Sequence, residues 1–315
     1  MKHILITGGA GFIGSHLTSF LLNQGHRVTV LDNLQTGSLS NLDFCKDHPG
    51  FQFVQQDVCD PIDLEVNEIY HLACPASPVH YQADPIKTTK TCVFGSLNVL
   101  ELAKKNQCRV LSTSTSEVYG DPLVHPQVEK DWGNVNPVGI RSCYDEGKRC
   151  AETLFMDYHR HYGVDVVIAR IFNTYGPRMS LEDGRVIPNF IAQALKNESL
   201  TLYGDGSQTR SLCYVDDMIN GLTGMMALGK PMTGPYNVGN PDENTVKQIA
   251  ETIVALTHST SDMINQPLPQ DDPVRRCPDI TKLNQATGFA PTVSLEDGLK
   301  RTIEYFESKL NLCVS

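Results

Sequence analysis

Four glycines in seven residues, Gly8-Gly9-Ala10-Gly11-Phe12-Ile13-Gly14, constrain this chain more than any other feature. They follow a short apolar run, Ile4-Leu5-Ile6, and open a helical pattern. The spacing satisfies G-x-G-x-x-G from Gly9 and G-x-x-G-x-x-G from Gly8. A tight strand-to-helix turn needs glycine, a pyrophosphate needs bare backbone, and a helix N-terminus supplies positive potential. The pattern alone is weak; its place between a strand and a helix strengthens it. A second apolar run, Arg27–Leu31, ends at Asp32, 18 residues after Gly14. A carboxylate there accepts from a ribose 2′-hydroxyl and repels a 2′-phosphate, so the expected dinucleotide is NAD rather than NADP. Asp57-Val58, after a third run, reads either as an adenine contact or as an Asp capping a loop.

The wider pattern repeats this motif. Strands are expected at Ile4–Ile6, Arg27–Leu31, Phe51–Val54, Ile69–Ala73, Arg109–Leu111 and Val164–Ala169, with helical patterns around 12–25, 86–106 and 144–162. Strands alternating with helices imply a parallel sheet covered on both faces. Beyond about residue 172, Pro, Gly and Asp become frequent and helical patterns fall near 186–196, 215–228, 245–257 and 294–310. The expectation is an α/β chain with a Rossmann-type doubly wound sheet over residues 1–172. A smaller lobe over 173–315 has segments that can interleave with the first. Ligands of such sheets lie beyond the strand carboxyl ends, which puts the cleft between the lobes.

Bulk properties exclude several classes. The 315 residues carry 26 Lys and Arg against 36 Asp and Glu, a formal charge of −10, with no basic stripe, so no nucleic-acid partner is expected. No apolar run approaches 18 residues and the opening turns to glycine too soon for a signal peptide, so neither membrane span nor secretion is expected. Ten cysteines are scattered without a C-x-x-C pair, which argues against a metal site and for reduced thiols in a cytoplasmic protein.

The candidate chemistry begins at Tyr144-Asp145-Glu146-Gly147-Lys148. Four residues apart on a helix, Tyr144 and Lys148 share a face. An ammonium beside a phenol favours the phenolate, which can take a hydroxyl proton next to a nicotinamide. Ser112-Thr113-Ser114-Thr115-Ser116-Glu117 leaves the fifth strand at its carboxyl end. Thr115 or Ser116 is placed to bond the reacting hydroxyl, and Glu117 brings a carboxylate to the same point.

With Asn173-Thr174-Tyr175-Gly176-Pro177-Arg178, these motifs resemble the extended short-chain dehydrogenases that modify nucleotide sugars. The likeness is closest to the branch of that family that decarboxylates UDP-glucuronate. It runs through Thr115–Pro122, Cys143–Arg149, Arg170–Met179, Asp183–Val186, Gly206–Arg210 and Asp271–Arg276. The resemblance implies that Gly8, Gly11, Phe12, Ile13, Gly14, Asp32, Asn33, Asp57, Val58, Leu72, Thr91, Tyr144 and Lys148 contact NAD. It implies Thr115, Glu117, Tyr144 and Lys148 as the catalytic group. Lys90, Asn173, Arg178, Arg185, Tyr203, Arg210 and Arg276 would hold the UDP-sugar, with Arg275 an alternative to Arg276 at the diphosphate. Cys74 stands where relatives often carry Ser.

The implied reaction converts UDP-glucuronate to UDP-xylose through a 4-keto sugar, with NAD recycled internally, in a homodimer built on the helices at 86–106 and 144–162. Its rivals are nucleotide-sugar 4,6-dehydration, 4-epimerisation, and a non-catalytic NAD sensor. The first commonly needs an Asp where Ser116 stands; epimerases usually lack Glu117; a sensor would be free to lose Tyr144 or Lys148.

Overall fold

Alternation within the apolar runs decides the architecture. In the first run, Ile4 and Ile6 point to one face of a sheet and Leu5 to the other, and all three are fully buried. Val28 and Val30 share the face of Ile4 and Ile6, while Leu31, Ile69, Val110 and Ile168 lie with Leu5. A strand buried on both faces belongs in a parallel sheet covered by helices. The computed structural model, which describes residues 1–229, 232–267 and 275–310, has that arrangement.

Seven strands form the sheet: β1 (His3–Thr7), β2 (Arg27–Asp32), β3 (Phe51–Gln55), β4 (Glu68–His71), β5 (Arg109–Thr115), β6 (Val166–Ile171) and β7 (Tyr236–Val238). Their order is β7-β6-β5-β4-β1-β2-β3, every pair parallel. The direction of winding reverses between β1 and β4, where a crevice opens at the carboxyl ends. The six expected strands are present within a few residues. The seventh was not expected: three residues from the C-terminal half pair with Ala169–Ile171 of β6.

The helices follow the expected pattern. The longer ones are α1 (Phe12–Asn23), α2 (Ser96–Asn106), α3 (Ser142–Tyr162), α4 (Val186–Leu195), α5 (Val215–Met226), α6 (Val246–Leu256) and α7 (Leu295–Lys309); short helices at Pro78–Ala83 and Thr281–Thr287 were not expected. The pattern at 86–106 divides into Pro85–Lys90, a π-turn at Thr91–Gly95, and α2. Val99, Leu100 and Ala103 of α2 and Phe155 of α3 cover the Leu5 face. On the opposite face, α1 and α5 join the helices of the C-terminal half in one continuous core running from Ile4 to Phe306. Full burial of one such Leu or Ile contributes about 1.5–3 kcal/mol.

In the C-terminal half, Leu200–Tyr203 pairs with Met263–Gln266, and Thr209–Ser211 pairs with Glu243–Thr245. Thr174–Tyr175, just after β6, pairs with Cys213–Tyr214 at the start of α5. These short ladders bring the loops after residues 173, 183, 203 and 210 over the sheet's carboxyl edge. Among the described residues no helix is long and apolar enough to cross a membrane.

Candidate active site

The glycine turn is built by exclusion. Gly8 sits at φ +72°, and a Cβ there would lie 2.8 Å from Ala73 Cα. A Cβ on Gly14 would lie 2.3 Å from the Gly8 carbonyl oxygen, so α1 packs against the turn only without a side chain. A Cβ on Gly11 would have only the Gly8 oxygen near it, at 3.2 Å. Asp32, at the end of β2, accepts from the Ala10 amide at 3.0 Å and the Leu34 amide at 2.8 Å. Burial pushes its carboxyl above the usual range, and those two amides work against the shift.

This turn forms one end of a cleft of about 830 Å³ at the sheet's carboxyl edge. Gly8, Gly11, Phe12, Ile13, Gly14, Asp32, Asn33, Val58, Leu72 and Thr91 all line it. Asp57 does not. Its carboxylate takes Lys87 Nζ at 2.5 Å, Asn33 Nδ2 at 2.9 Å and the Cys59 amide at 2.9 Å. Burial opposes ionisation, yet Lys87 and these donors hold it far below the ordinary carboxylate range. Of its two readings, the structure favours the Asp that caps a loop, turned onto a lysine that spacing did not single out. Lys90 also stands apart, exposed and outside the residues lining the cleft.

At the middle of the cleft, β5 ends and α3 begins. Tyr144, Lys148 and Thr115 are buried and meet there. The Thr115 hydroxyl lies near the Tyr144 phenol and works against the upward shift that burial gives it. The same hydroxyl accepts the Glu117 amide at 3.2 Å, capping the short helix Ser116–Tyr119. Lys148 Nζ donates to the Thr113 carbonyl at 2.9 Å and lies 5.8 Å from the Tyr144 ring centre. Tyr81 stacks flat on Tyr144, centroids 4.9 Å apart and planes within 3°. Burial, with Cys74 adding to it, pushes the Tyr144 phenol well above its ordinary value. The lowering expected from Lys148 alone does not overcome that burial.

Glu117 is held by two arginines. Arg141 Nη2 donates to Oε2 at 2.8 Å and Arg276 Nη2 donates to the same oxygen at 2.5 Å. Burial resists ionisation, but Arg276 and then Arg141 outweigh it and keep the carboxyl below its usual range. Arg275 is exposed and Arg276 buried, so Arg276 is the one that faces the cleft.

The remaining expected residues of the C-terminal half also line the cleft: Asn173, Arg178, Arg185, Tyr203 and Arg210. Arg185 forms a bidentate pair with Asp183, Nη2 lying 2.8 Å from Oδ2. Arg178, at φ +68°, lies over the Phe44 ring at 4.4 Å with Nη1 buried and without a partner. His16 of α1 fixes that loop by bonding the Pro177 carbonyl at 2.8 Å; burial lowers the imidazole to about 4, which keeps it neutral. The stretch Asp271–Val274, which carried part of the resemblance, lies outside the described residues.

The description GDP-mannose 4,6 dehydratase fits residues 5–302 of this sequence. The chain belongs to the GDP-mannose 4,6 dehydratase family. UDP-glucuronic acid decarboxylase 3 of Arabidopsis thaliana is 54% identical to it over 310 residues, 98% of this chain and 90% of the relative. Two solved structures of the same architecture are more distant. UDP-glucose 4-epimerase of Thermotoga maritima, with UDP-glucose, has a TM-score of 0.88 at 31% identity, covering 98% of this chain and 99% of that one. UDP-glucuronic acid 4-epimerase of Bacillus cereus, in complex with UDP-glucuronic acid and NAD, has a TM-score of 0.87 at 28% identity, with the same coverage.

Within this family frame, three site residues escaped the sequence reading: Arg141, Tyr81 and Asp145. Asp145 follows Tyr144 on α3, is buried, and has one carboxylate oxygen without a partner. Burial, reinforced by Glu117, pushes it up to about 7. An unfolded Asp titrates near 4, so between those values the folded chain binds the extra proton. Stability contributed by this group is therefore full below about pH 4 and is lost as pH rises towards 7. Asp145→Asn is expected to flatten that part of the curve and to be more stable than the parent at pH 8. Thermal melts of both proteins from pH 5 to 8 check it; parallel profiles contradict the assignment.

Proposed function

We propose that this chain decarboxylates UDP-glucuronate to UDP-xylose with NAD held and regenerated in the cleft. The observation that carries the reading is the Glu117–Arg141–Arg276 cluster beside Tyr144, which brings two guanidiniums to the cleft wall within reach of a proton-transfer group. Identity to a UDP-glucuronic acid decarboxylase, at 54%, well above that to the two epimerases, supports it.

The residues at the dinucleotide end fit NAD. A side chain at Gly8 or Gly14 would close the turn, Gly11 leaves backbone open, and Asp32 sits at the end of β2 on the cleft wall. When bound, NAD would supply the redox chemistry, oxidising C4 of the sugar first and reducing it last, and its cationic ring would favour the Tyr144 phenolate. Tyr144 takes the proton of the C4 hydroxyl, with Thr115 orienting that oxygen. The ketone at C4 is then β to the C5 carboxylate, and loss of CO₂ leaves an enolate whose charge rests on O4. Tyr144, now protonated, donates its hydrogen bond to O4 and stabilises that charge. C5 regains a proton, and Tyr144 returns its own to O4 at the end.

Arg141 and Arg276 orient the carboxylate while Glu117, taking both on one oxygen, holds them together and fixed. Arg185 and Arg210 offer guanidiniums to the diphosphate, whose geometry suits a bidentate contact. Ser116 is a poor acid for expelling a C6 hydroxyl, which weighs against dehydration. A sugar clamped by several cations weighs against the rotation that 4-epimerisation requires. The homodimer implied by the resemblance would pair the helices around 86–106 and 144–162, where Ile86 and Phe94 are exposed, in a cytoplasmic setting.

Asp32→Ala is expected to weaken NAD binding by the value of a charged hydrogen bond, about 1.5–3 kcal/mol. Calorimetric titration with NAD and NADP measures it; a parent protein that prefers NADP contradicts the role. The activity itself is tested by offering UDP-glucuronate, UDP-glucose and dTDP-glucose separately and weighing the products. A UDP-pentose from the first and no 4-keto-6-deoxy sugar from the others is expected. A dehydrated product, with UDP-glucuronate inert, overturns the reading.

A further inference from the structure

Two thiols meet at the wall of the catalytic cleft. Cys74 lies three residues past β4, lines the cleft and is partly exposed. Cys92 lies in the π-turn Thr91–Gly95 and is 2% exposed. Their sulfurs are 3.4 Å apart. The nine described cysteines are all free. Cys92 also touches the catalytic helix: a Cβ added at Gly147 would lie 3.0 Å from both its Cβ and its Sγ. The pair therefore joins the loop under the cleft to the helix that carries Tyr144 and Lys148.

We propose that Cys74 and Cys92 form a dithiol that a hydroperoxide oxidises to a disulfide, shutting off turnover reversibly. The cleft gives a small peroxide access to Cys74, while Cys92 waits behind it as the resolving thiol. Reactivity follows the thiolate, and the hydrogen bond from Cys92 together with the Lys148 charge outweighs burial to lower the Cys74 thiol. The other eight described cysteines are shifted upward by their surroundings.

The chemistry balances in two steps. The Cys74 thiolate attacks the O–O bond; an S–O bond forms, the O–O bond breaks, and alkoxide or hydroxide leaves and takes up a proton. The Cys92 sulfur then attacks the sulfenic sulfur; an S–S bond forms, the S–O bond breaks, and water leaves with the Cys92 proton. Two thiols are oxidised and one peroxide is reduced. Bonding closes the sulfurs from 3.4 Å to about 2.05 Å. That draws the loop after β4 towards the π-turn and displaces the wall beside Tyr144. A misplacement near 1 Å in a catalytic site costs about 100-fold in rate.

The thiol chemistry stands on this geometry, whereas its effect on turnover rests on the function proposed above, so two readouts are kept separate. The full chain is treated with hydrogen peroxide, quenched with catalase, and divided between CO₂ release from UDP-glucuronate and peptide mapping after alkylation. The expected result is a Cys74–Cys92 cross-linked peptide, a rate lower by about 100-fold, and recovery of both with dithiothreitol. Cys92→Ala, or Cys92→Ser if the first folds poorly, should turn over normally before oxidation. After peroxide it should form no cross-link and should carry a dimedone-reactive Cys74. Both thiols remaining alkylatable in inactivated protein, or a cross-linked protein with undiminished turnover, overturns the proposal. Absence of turnover before any oxidation counts against the function instead, while the mapping still decides the disulfide.

Discussion

Tyr144→Phe is expected to fold as the parent does and to lose turnover by a factor on the order of 10²–10⁴, the range of positioned acid–base catalysis. The structural cost is small. The ring keeps its stack on Tyr81 at 4.9 Å, and only the phenol oxygen is removed. The chemical cost is the whole proton-transfer function, because Lys148 is committed to the Thr113 carbonyl and no second phenol stands at that point of the cleft among its described lining residues. Circular dichroism and thermal melts establish the fold, and single-turnover assays the rate. Near-parental rates with UDP-glucuronate would remove Tyr144 from the mechanism.

The second large effect belongs to Glu117. Glu117→Ala removes the carboxylate with which the buried Arg276 is paired, and breaking a buried pair costs about 3–5 kcal/mol of stability. Glu117→Gln keeps the shape and removes only the charge, so it isolates the catalytic consequence. The expected outcome is a fall in kcat of at least about 100-fold with no rise in KM, because the guanidiniums still attract the substrate carboxylate while no longer holding it in one pose. The product remains a UDP-pentose. A rise in KM at constant kcat would make Glu117 a general binding residue, and a change of product would reopen the choice among decarboxylation, dehydration and epimerisation.

What could be read from the sequence was local. The glycine turn, Asp32 and the Tyr144/Lys148 pair are each specified by spacing within one strand–turn–helix unit, and the structure sets them along one cleft. Contacts between distant segments left no such mark. Residues 236–238 are too short to announce a strand and become one only by pairing with β6, some 65 positions earlier. Arg141 carries no periodic signal; its meaning comes from Glu117, 24 residues before it. Choosing between Arg275 and Arg276 is a matter of which neighbour points inward, and adjacent side chains of an extended segment face opposite ways. Spacing placed Asp57 correctly after β3, but the presence of Lys87 decided where its carboxylate turned. The π-turn at Thr91–Gly95 interrupts a helical pattern that reads as continuous, and it positions both Thr91 and Cys92.

Internal recycling of NAD around a decarboxylation is the central feature of the proposed function. The most direct measurement follows UDP-glucuronate labelled in its carboxylate, in D₂O, with NAD far below the substrate concentration. The prediction is one labelled CO₂ for each UDP-pentose, one deuterium at C5, many turnovers per NAD, and no accumulating NADH absorbance. A UDP-uronate epimerised at C4 without CO₂, or NADH formed in proportion to product, would contradict it.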